Sequence, residues 1–268
     1  MLKAIEHTHG LIKSQRPLIL NYTNTVTTDF VANALLAIGA APVMSLCEAE
    51  ALDLIKISAA VYINLGTLSP EFIHLVDKAI MLASLHKKPI ILDPVGAGAS
   101  KIRTQTATRM ALKANIIKGN ASEILALAGL AYETKGVDAA DTHLDVTEAA
   151  KELAQATNAV VAVSGATDII TDGNEVIKLR YGSALMSCVT GMGCSLGAVM
   201  AAFKAVVKDP LKSTSLAMAF FALTGELTGQ KFNKPGGFKH HFIDALYAPD
   251  FSDMTTRIKP NAYFSINQ

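Results

Sequence analysis

The sequence predicts an α/β fold: a central, mainly parallel β-sheet flanked by helices, in one domain over residues 1–268. Three observations lead there. Short apolar, β-type runs alternate with longer segments in which Ala, Leu and Ile recur at helical spacing. Such alternation implies βα units with right-handed crossovers, which lay successive strands parallel. Finally, the chain shows no internal repeat, no low-complexity tract and no linker longer than the charged, small-residue stretch 131–144, which reads as an exposed loop.

In order, the expected strands are residues 18–22, 42–44, 60–64, 89–92, 115–117 and 159–163. Between them, residues 28–38, 48–57, 70–86, 101–113, 121–128 and 146–155 carry the helical pattern. The rhythm then breaks at Asp168. Two short apolar runs flank Asp172-Gly173-Asn174, and an Asp-Gly pair in that setting is a strong hairpin signal. From Gly193 onward the chain reads as largely helical. In such sheets ligands collect beyond the carboxyl ends of the strands, so the turns that follow the strands are where chemistry is expected.

Composition narrows the partners. The chain has 268 residues, of which 50% are hydrophobic and 18% charged, so it can bury a sizeable core. With 24 Lys+Arg against 23 Asp+Glu the formal charge is +1, and no basic block stands out. That balance lacks the footprint of a nucleic-acid or membrane-surface binder and points to small molecules or further copies of the chain. The three cysteines, Cys47, Cys188 and Cys194, form neither a disulfide framework nor a CxxC pair, which suits a reducing cytoplasm. Charges and a histidine in Met1 to His7 interrupt any secretory leader, so none is expected. The apolar stretches 192–207 and 216–223 are too short to span a membrane, and Lys204 interrupts the first.

Five turns carry candidate chemistry. The richest is Thr190-Gly191-Met192-Gly193-Cys194-Ser195, which opens an Ala-rich helix. Glycines allow close backbone approach, and a helix start offers free N–H groups and a positive dipole end. Gly191, Met192, Gly193 and Cys194 thus form a candidate anion hole for a transferring phosphoryl group. A thiol in this first turn also feels the positive end, which favours its thiolate form. The same residues equally suit a plain glycine-rich helix start with an inert cysteine.

Asp93 ends an apolar strand before Pro94-Val95-Gly96-Ala97-Gly98, a place from which it could orient hydrated Mg²⁺ beside phosphates, or simply shape an Asp-Pro turn. Lys118-Gly119-Asn120-Ala121-Ser122-Glu123 offers Lys118 to a phosphate and Glu123 to metal-bound water, although Asn120 and Glu123 also have capping-box spacing. Ser164-Gly165-Ala166 leaves room for a nucleotide or makes a tight turn. Early in the chain, Asn24 and Thr25 with Met44 suit a small heteroaromatic ligand, and Met44 taken singly suits the core. The histidines lack metal-ligand spacing.

Taken together, these motifs are similar to those of the hydroxyethylthiazole kinase family. TNTVTTDFVAN, LLAIGAAPVM, LGTLSP, DPVGAGA, GNASEI, KGVDA, SGATDIITDG and TGMGCSLGAV occur in the family's order between about Pro17 and Ala198, and Pro235-Gly236-Gly237-Phe238 resembles its C-terminal element. The resemblance implies a ribokinase-like fold and a cytoplasmic homotrimer with substrate sites between subunits. It also implies ATP- and Mg²⁺-dependent phosphorylation of the primary alcohol of 4-methyl-5-(2-hydroxyethyl)thiazole in thiamin salvage. By that resemblance Met44 and Gly191 contact the substrate, while Lys118 and Ser164 bind ATP; Asn24 joins the substrate side on the residue pattern alone. Asp93 and Glu123 stay candidates for the metal's shell, through water, on the residue pattern, and by the resemblance Cys194 stands where related sugar kinases place a catalytic Asp. Members commonly carry Arg at Lys118, Thr at Ser164 and a smaller residue at Met192. Rival readings are a hydroxymethylpyrimidine phosphate kinase, a nucleotide-repair dehydratase of the same fold, and a ligand-binding trimer without catalysis.

Overall fold

The structure is a computed structural model, and it describes residues 1–133 and 145–258. The expected loop 131–144 therefore falls largely outside the described residues, as does KGVDA; its first three positions belong to a helix. Eight strands form one sheet in the order β2-β1-β3-β4-β5-β6-β7-β8. These are β1 (Leu18–Tyr22), β2 (Ala41–Met44), β3 (Ala60–Asn64), β4 (Ile90–Asp93), β5 (Ile116–Asn120), β6 (Val160–Ser164), β7 (Asp168–Thr171) and β8 (Val176–Leu179). The first six run parallel, and the hairpin β7–β8 adds two antiparallel strands at one edge. The α/β expectation with a mainly parallel sheet holds.

Helices cover both faces. On one lie α1 (Leu2–Gln15), α2 (Thr28–Ala37), α8 (Met192–Val206), α9 (Pro210–Lys231), α10 (Pro235–Tyr247) and α11 (Phe251–Arg257). On the other lie α3 (Ala51–Ile57), α4 (Pro70–Leu85), α5 (Lys101–Ala111), α6 (Ala121–Glu133) and α7 (Val146–Thr157). Strand side chains alternate between the two cores. Within β3, Ala60 and Tyr62 face the first layer, whereas Val61 and Ile63 face the second. The strands are buried on both sides, which is why they read as nearly unbroken apolar runs.

Helix α8 is enclosed nearly all round, between the sheet and α9, and every residue from Ser195 to Phe203 is buried. Its closeness to β3 depends on Gly197, where a Cβ would come within 2.5 Å of the Tyr62 ring. Across it, Phe203 and Phe220 pack with ring centroids 5.7 Å apart. Burial of each such side chain contributes roughly 1.5–3 kcal/mol. Among the described residues no helix is long and apolar enough to cross a membrane.

Several boundaries differ from expectation. Helix α1 was not marked by the alternating pattern, because its buried stripe of Ile5, Thr8, His9 and Ile12 is itself half polar. The helix expected over 48–57 begins as a 3₁₀ turn, Glu48–Glu50, before α3. Strand β5 runs three residues further than expected, so Lys118 lies within it. The chain's parallel strands thus all deliver their carboxyl ends to one edge.

Candidate active site

That edge gathers Asn24, Met44, Asn64, Asp93, Lys118 and Ser164 from the ends of successive strands, with the start of α8 above them. Gly191 caps α8 at φ 94°, a conformation that favours glycine, and a Cβ there would also press within 3.0 Å of Phe30 and 3.1 Å of Thr27. The first helical bond runs from Ser195 N–H to the Gly191 carbonyl at 2.8 Å. The N–H groups of Gly193 and Cys194 consequently precede any intrahelical acceptor and face outward from the helix start. At Met192 the N–H turns back to the Val189 carbonyl at 3.5 Å, and the side chain packs into the core while also lining a cavity beside the helix start. The N–H groups left open at the helix start are therefore those of Gly193 and Cys194.

Lys118 reaches the same point from below. Its ammonium lies 3.2 Å from Asp93 Oδ2, with only 6% and 1% of the two side chains exposed. Three donors converge on that one oxygen: Lys118 at 3.2 Å, the Tyr62 hydroxyl at 3.0 Å and the Asn64 amide at 3.1 Å. Burial pushes the Asp93 carboxyl above its usual range, against the pull of Lys118. Lys118 in turn sits above its ordinary value, since the surrounding negative charge, Asp93 foremost, outweighs the burial that disfavours its ammonium. Burial, and then Asp93, lifts the Tyr62 phenol well above its usual range, so it stays a donor.

Behind Cys194 stands Asn24. Its amide donates to Asn64 Oδ1 at 2.8 Å and to Cys194 Sγ at 3.3 Å. Its oxygen accepts from the Thr27 backbone at 3.1 Å and the Thr27 hydroxyl at 3.0 Å. Cys194 itself is partly exposed.

Glu123 adopts the capping-box arrangement. Its Oε2 accepts from Asn120 N at 2.8 Å while Asn120 Oδ1 accepts from Glu123 N at 2.9 Å, and Oε1 takes the Gly96 N–H at 2.9 Å. Both oxygens thus brace turns beside Asp93. By contrast, Asp93 Oδ1 is buried without a hydrogen-bond partner among the described residues. Among the described residues no cluster of three or more His, Cys, Asp or Glu could hold a metal alone.

A cavity of about 620 Å³ opens from the α8 start, lined by Ser164, Gly165, Asp168, Gly193, Leu196 and Phe221, among others. The Ser164–Gly165 turn is pinned by Asp168, whose Oδ1 accepts the Gly165 N–H at 3.0 Å. Burial raises the Asp168 carboxyl to about 6, opposed by that N–H and by Lys118. The outer wall is a strap from Tyr181 through the 3₁₀ turn Ala184–Cys188. It is seated on α9 at Gly225 and Gly229, where Cβ atoms would come within 2.5 Å of Met186 and 2.3 Å of Ser183. Glu226 between them accepts the Gly182 N–H at 3.2 Å and binds Arg257. A second cavity of about 620 Å³ lies at the ends of β1 and β3, lined by Thr23, Thr25, Leu46, Gly66 and Arg103 among others.

Met44, expected at the substrate, ends edge strand β2 opposite Asn21 and is partly buried; it lines neither cavity. Sequence reasoning passed over Tyr62, Asn64, Asp168 and the strap. Asn64 had a signal, since it ends an apolar strand just as Asp93 does, and Tyr62 lies two positions earlier on the same face.

Comparison with known proteins places the chain in a family. The model of the hydroxyethylthiazole kinase family matches residues 10–250. The chain is 44% identical to relatives named hydroxyethylthiazole kinase from Chlamydia caviae, over 256 residues, and Brachyspira hyodysenteriae, over 250. These alignments cover 95% and 92% of this chain and 98% and 94% of the relatives. The solved hydroxyethylthiazole kinase of Pyrococcus horikoshii OT3 superposes with a TM-score of 0.84 at 36% identity, covering 97% of this chain and 95% of that one. A ribokinase-like superfamily protein from Enterococcus faecalis, with a TM-score of 0.63 and 13% identity, shares the fold. With these matches spanning nearly its whole length, the chain belongs to the hydroxyethylthiazole kinase family.

Proposed function

We propose that this protein transfers the γ-phosphoryl group of ATP to the primary alcohol of 4-methyl-5-(2-hydroxyethyl)thiazole, as an enzyme of thiamin salvage. The observation that carries this reading is the meeting of Cys194, at the open start of α8, with the Lys118–Asp93 pair beside a cavity of nucleotide size. Phosphoryl transfer asks mainly for positioning and charge stabilisation, and the free N–H groups of Gly193 and Cys194 together with Lys118 provide both. Ser164 and the Gly165 turn line the nucleotide side, and Gly191, packed closely against Phe30 and Thr27 at the helix start, would meet the alcohol through its backbone. Cys194 orients the hydroxyl and receives its proton as the O–P bond forms.

The residues present fit a hydrated Mg²⁺ with few protein ligands. The unpartnered Asp93 Oδ1 is an open acceptor, and Glu123, already engaged by two backbone N–H groups, would contribute through water. When bound, the ion would neutralise charge on the phosphates.

The assembly is read as a homotrimer with thiazole sites between subunits. In support, β2 is an edge strand half-buried throughout, and the apolar Val26 and Leu46 near the site are 72% and 62% exposed. A solution mass of three chains by light scattering checks this. The free cysteines suit a cytoplasmic enzyme.

The test of function is incubation with ATP and each of three acceptors: the thiazole alcohol, a hydroxymethylpyrimidine phosphate, and a hydrated dinucleotide. ADP and thiazole phosphate, followed by mass spectrometry, are the expected products. Product only from another acceptor, or binding without turnover, would overturn the reading.

A further inference from the structure

The hydrogen bonds behind Cys194 can run in only one direction. The Asn24 side-chain oxygen faces the Thr27 backbone N–H at 3.1 Å, and the Asn64 side-chain oxygen faces the Gly66 backbone N–H at 3.0 Å. A backbone N–H only donates, so neither amide can turn over without setting donors against each other. Asn24 must therefore direct its N–H groups to Asn64 Oδ1, at 2.8 Å, and to Cys194 Sγ, at 3.3 Å. Asn64 likewise directs its own to the Tyr62 oxygen at 2.9 Å and Asp93 Oδ2 at 3.1 Å. Asn24, Asn64, Tyr62 and Asp93 are all buried, so water does not compete for these bonds. Gly66 makes the close fit possible, because a Cβ there would lie 2.7 Å from the Asn24 side chain.

We propose that Asn24 is a positioning residue that acts through Cys194: its amide holds the sulfur as a hydrogen-bond acceptor and turns any thiol proton toward the cleft. The inference rests on the reading of Cys194 as the group that receives the alcohol's proton. It changes the role expected of Asn24 from a direct substrate contact, since every polar atom of its side chain is engaged within the protein. An amide N–H stabilises the negative form of the sulfur and cannot itself take a proton from it. In the transfer, the alcohol's O–H bond breaks and its proton passes to Sγ. The new O–P bond forms, the bond from the γ-phosphorus to the β–γ bridging oxygen breaks, and ADP leaves with that oxygen. Asn64 and Asp93 keep the amide from rotating during this exchange.

Alkylation of Cys194 by iodoacetamide at fixed pH, resolved peptide by peptide by mass spectrometry, tests the proposal without thiazole or ATP. Asn24→Asp, which sets a carboxylate against the sulfur, is expected to slow Cys194 alkylation about tenfold or more. Asn24→Ala, which adds no charge and serves if the Asp variant unfolds, slows it about threefold or more. Exposed Cys47 reacts unchanged as the reagent control, and cooperative thermal unfolding shows that each variant is folded. In kinase assays Asn24→Ala lowers kcat, leaves the KM for the thiazole alcohol within about twofold, and adds little to the loss caused by Cys194→Ala. Native or faster alkylation in the folded variants, or fully additive losses in the double variant, overturns the role of Asn24. If the native chain fails to phosphorylate the thiazole while alkylation behaves as stated, the functional reading falls and the hydrogen-bond polarity stands.

Discussion

The Lys118 ammonium lies 2.9 Å from the point where a Cβ on Gly193 would stand. A buried cation thus touches the backbone at the start of α8, and only a residue without a side chain permits the approach. Gly193→Ala would push the ammonium away from both Asp93 and the helix start. It is expected to lower kcat/KM for ATP about tenfold or more and to lower Tm, because loosening a buried ion pair costs more than the roughly 1 kcal/mol by which Ala is favoured over Gly within a helix. Unchanged kinetics would separate Lys118 from the transferring group.

Replacement of the thiol separates acceptance of a proton from mere access. Cys194→Asp places a carboxylate at the positive end of α8 and is expected to stay within about tenfold of native kcat. Cys194→Leu, which fills the approach, is expected to lose about a hundredfold or more. An inactive but folded Asp variant counts against the assigned role.

Metal dependence follows from the two carboxylates' unequal situations. Asp93 has a free oxygen, whereas both oxygens of Glu123 already accept backbone N–H bonds. Asp93→Asn should raise the Mg²⁺ concentration for half-maximal activity about tenfold, and Glu123→Gln should raise it less. An equal dependence in native and Asp93→Asn enzyme would remove Asp93 from the metal's shell.

Asp168 gives stability a pH dependence of definite sign. Its carboxyl is raised from 3.8 to about 6, mainly by burial, so the folded chain binds this proton more tightly than the unfolded chain does. The contribution is fully present below pH 4 and is lost as pH rises through 6. Asp168→Asn keeps an oxygen for the Gly165 N–H and cannot ionise. Relative to native protein it should be more stable at pH 7.5 by on the order of 2 kcal/mol than at pH 4.5, as read from denaturant melts at both values.

The strap over the cavity at the α8 start can be loosened without touching the reacting atoms. A Cβ at Gly229 would meet Ser183 Oγ at 2.3 Å and Cβ at 2.7 Å, close to where Glu226 holds the Gly182 N–H. Gly229→Ala is therefore expected to raise the KM for ATP about fivefold to tenfold and leave the KM for the thiazole alcohol unmoved. A matched rise in both would mean that the strap does not wall the nucleotide side alone.

Much of the edge that carries the site could be read along the chain, because each parallel strand announces its end in the same way. An apolar run stops, and a polar residue or glycine follows: Asp93 after β4's Leu92, Ser164 at the end of β6, Asn24 shortly after β1. The hairpin was equally plain, since Asp172-Gly173 separates two short runs and Gly173 takes φ 96°. What stayed hidden depends on contacts between distant segments. Nothing local shows that Asn24 meets Cys194 across 170 positions, or that Tyr62 and Lys118 share one oxygen of Asp93. Glu123 illustrates the opposite difficulty, where one spacing serves both a cap and a metal-side carboxylate and only three-dimensional neighbours show how its oxygens are used. Helix α1 escaped notice because its stabilisation comes from the layer it packs against.

The enclosure of α8 sets how steadily its reactive end is held. From Ser195 to Phe203 the helix has core on every side, so its amides can trade hydrogen for deuterium only when the whole layer opens, whereas Gly193 and Cys194 meet water directly. The thermal wander of the sulfur is thus limited by the rigidity of the interior rather than by a surface loop, and any mutation that softens the aromatic packing between Phe203 and Phe220 would blur its aim from afar.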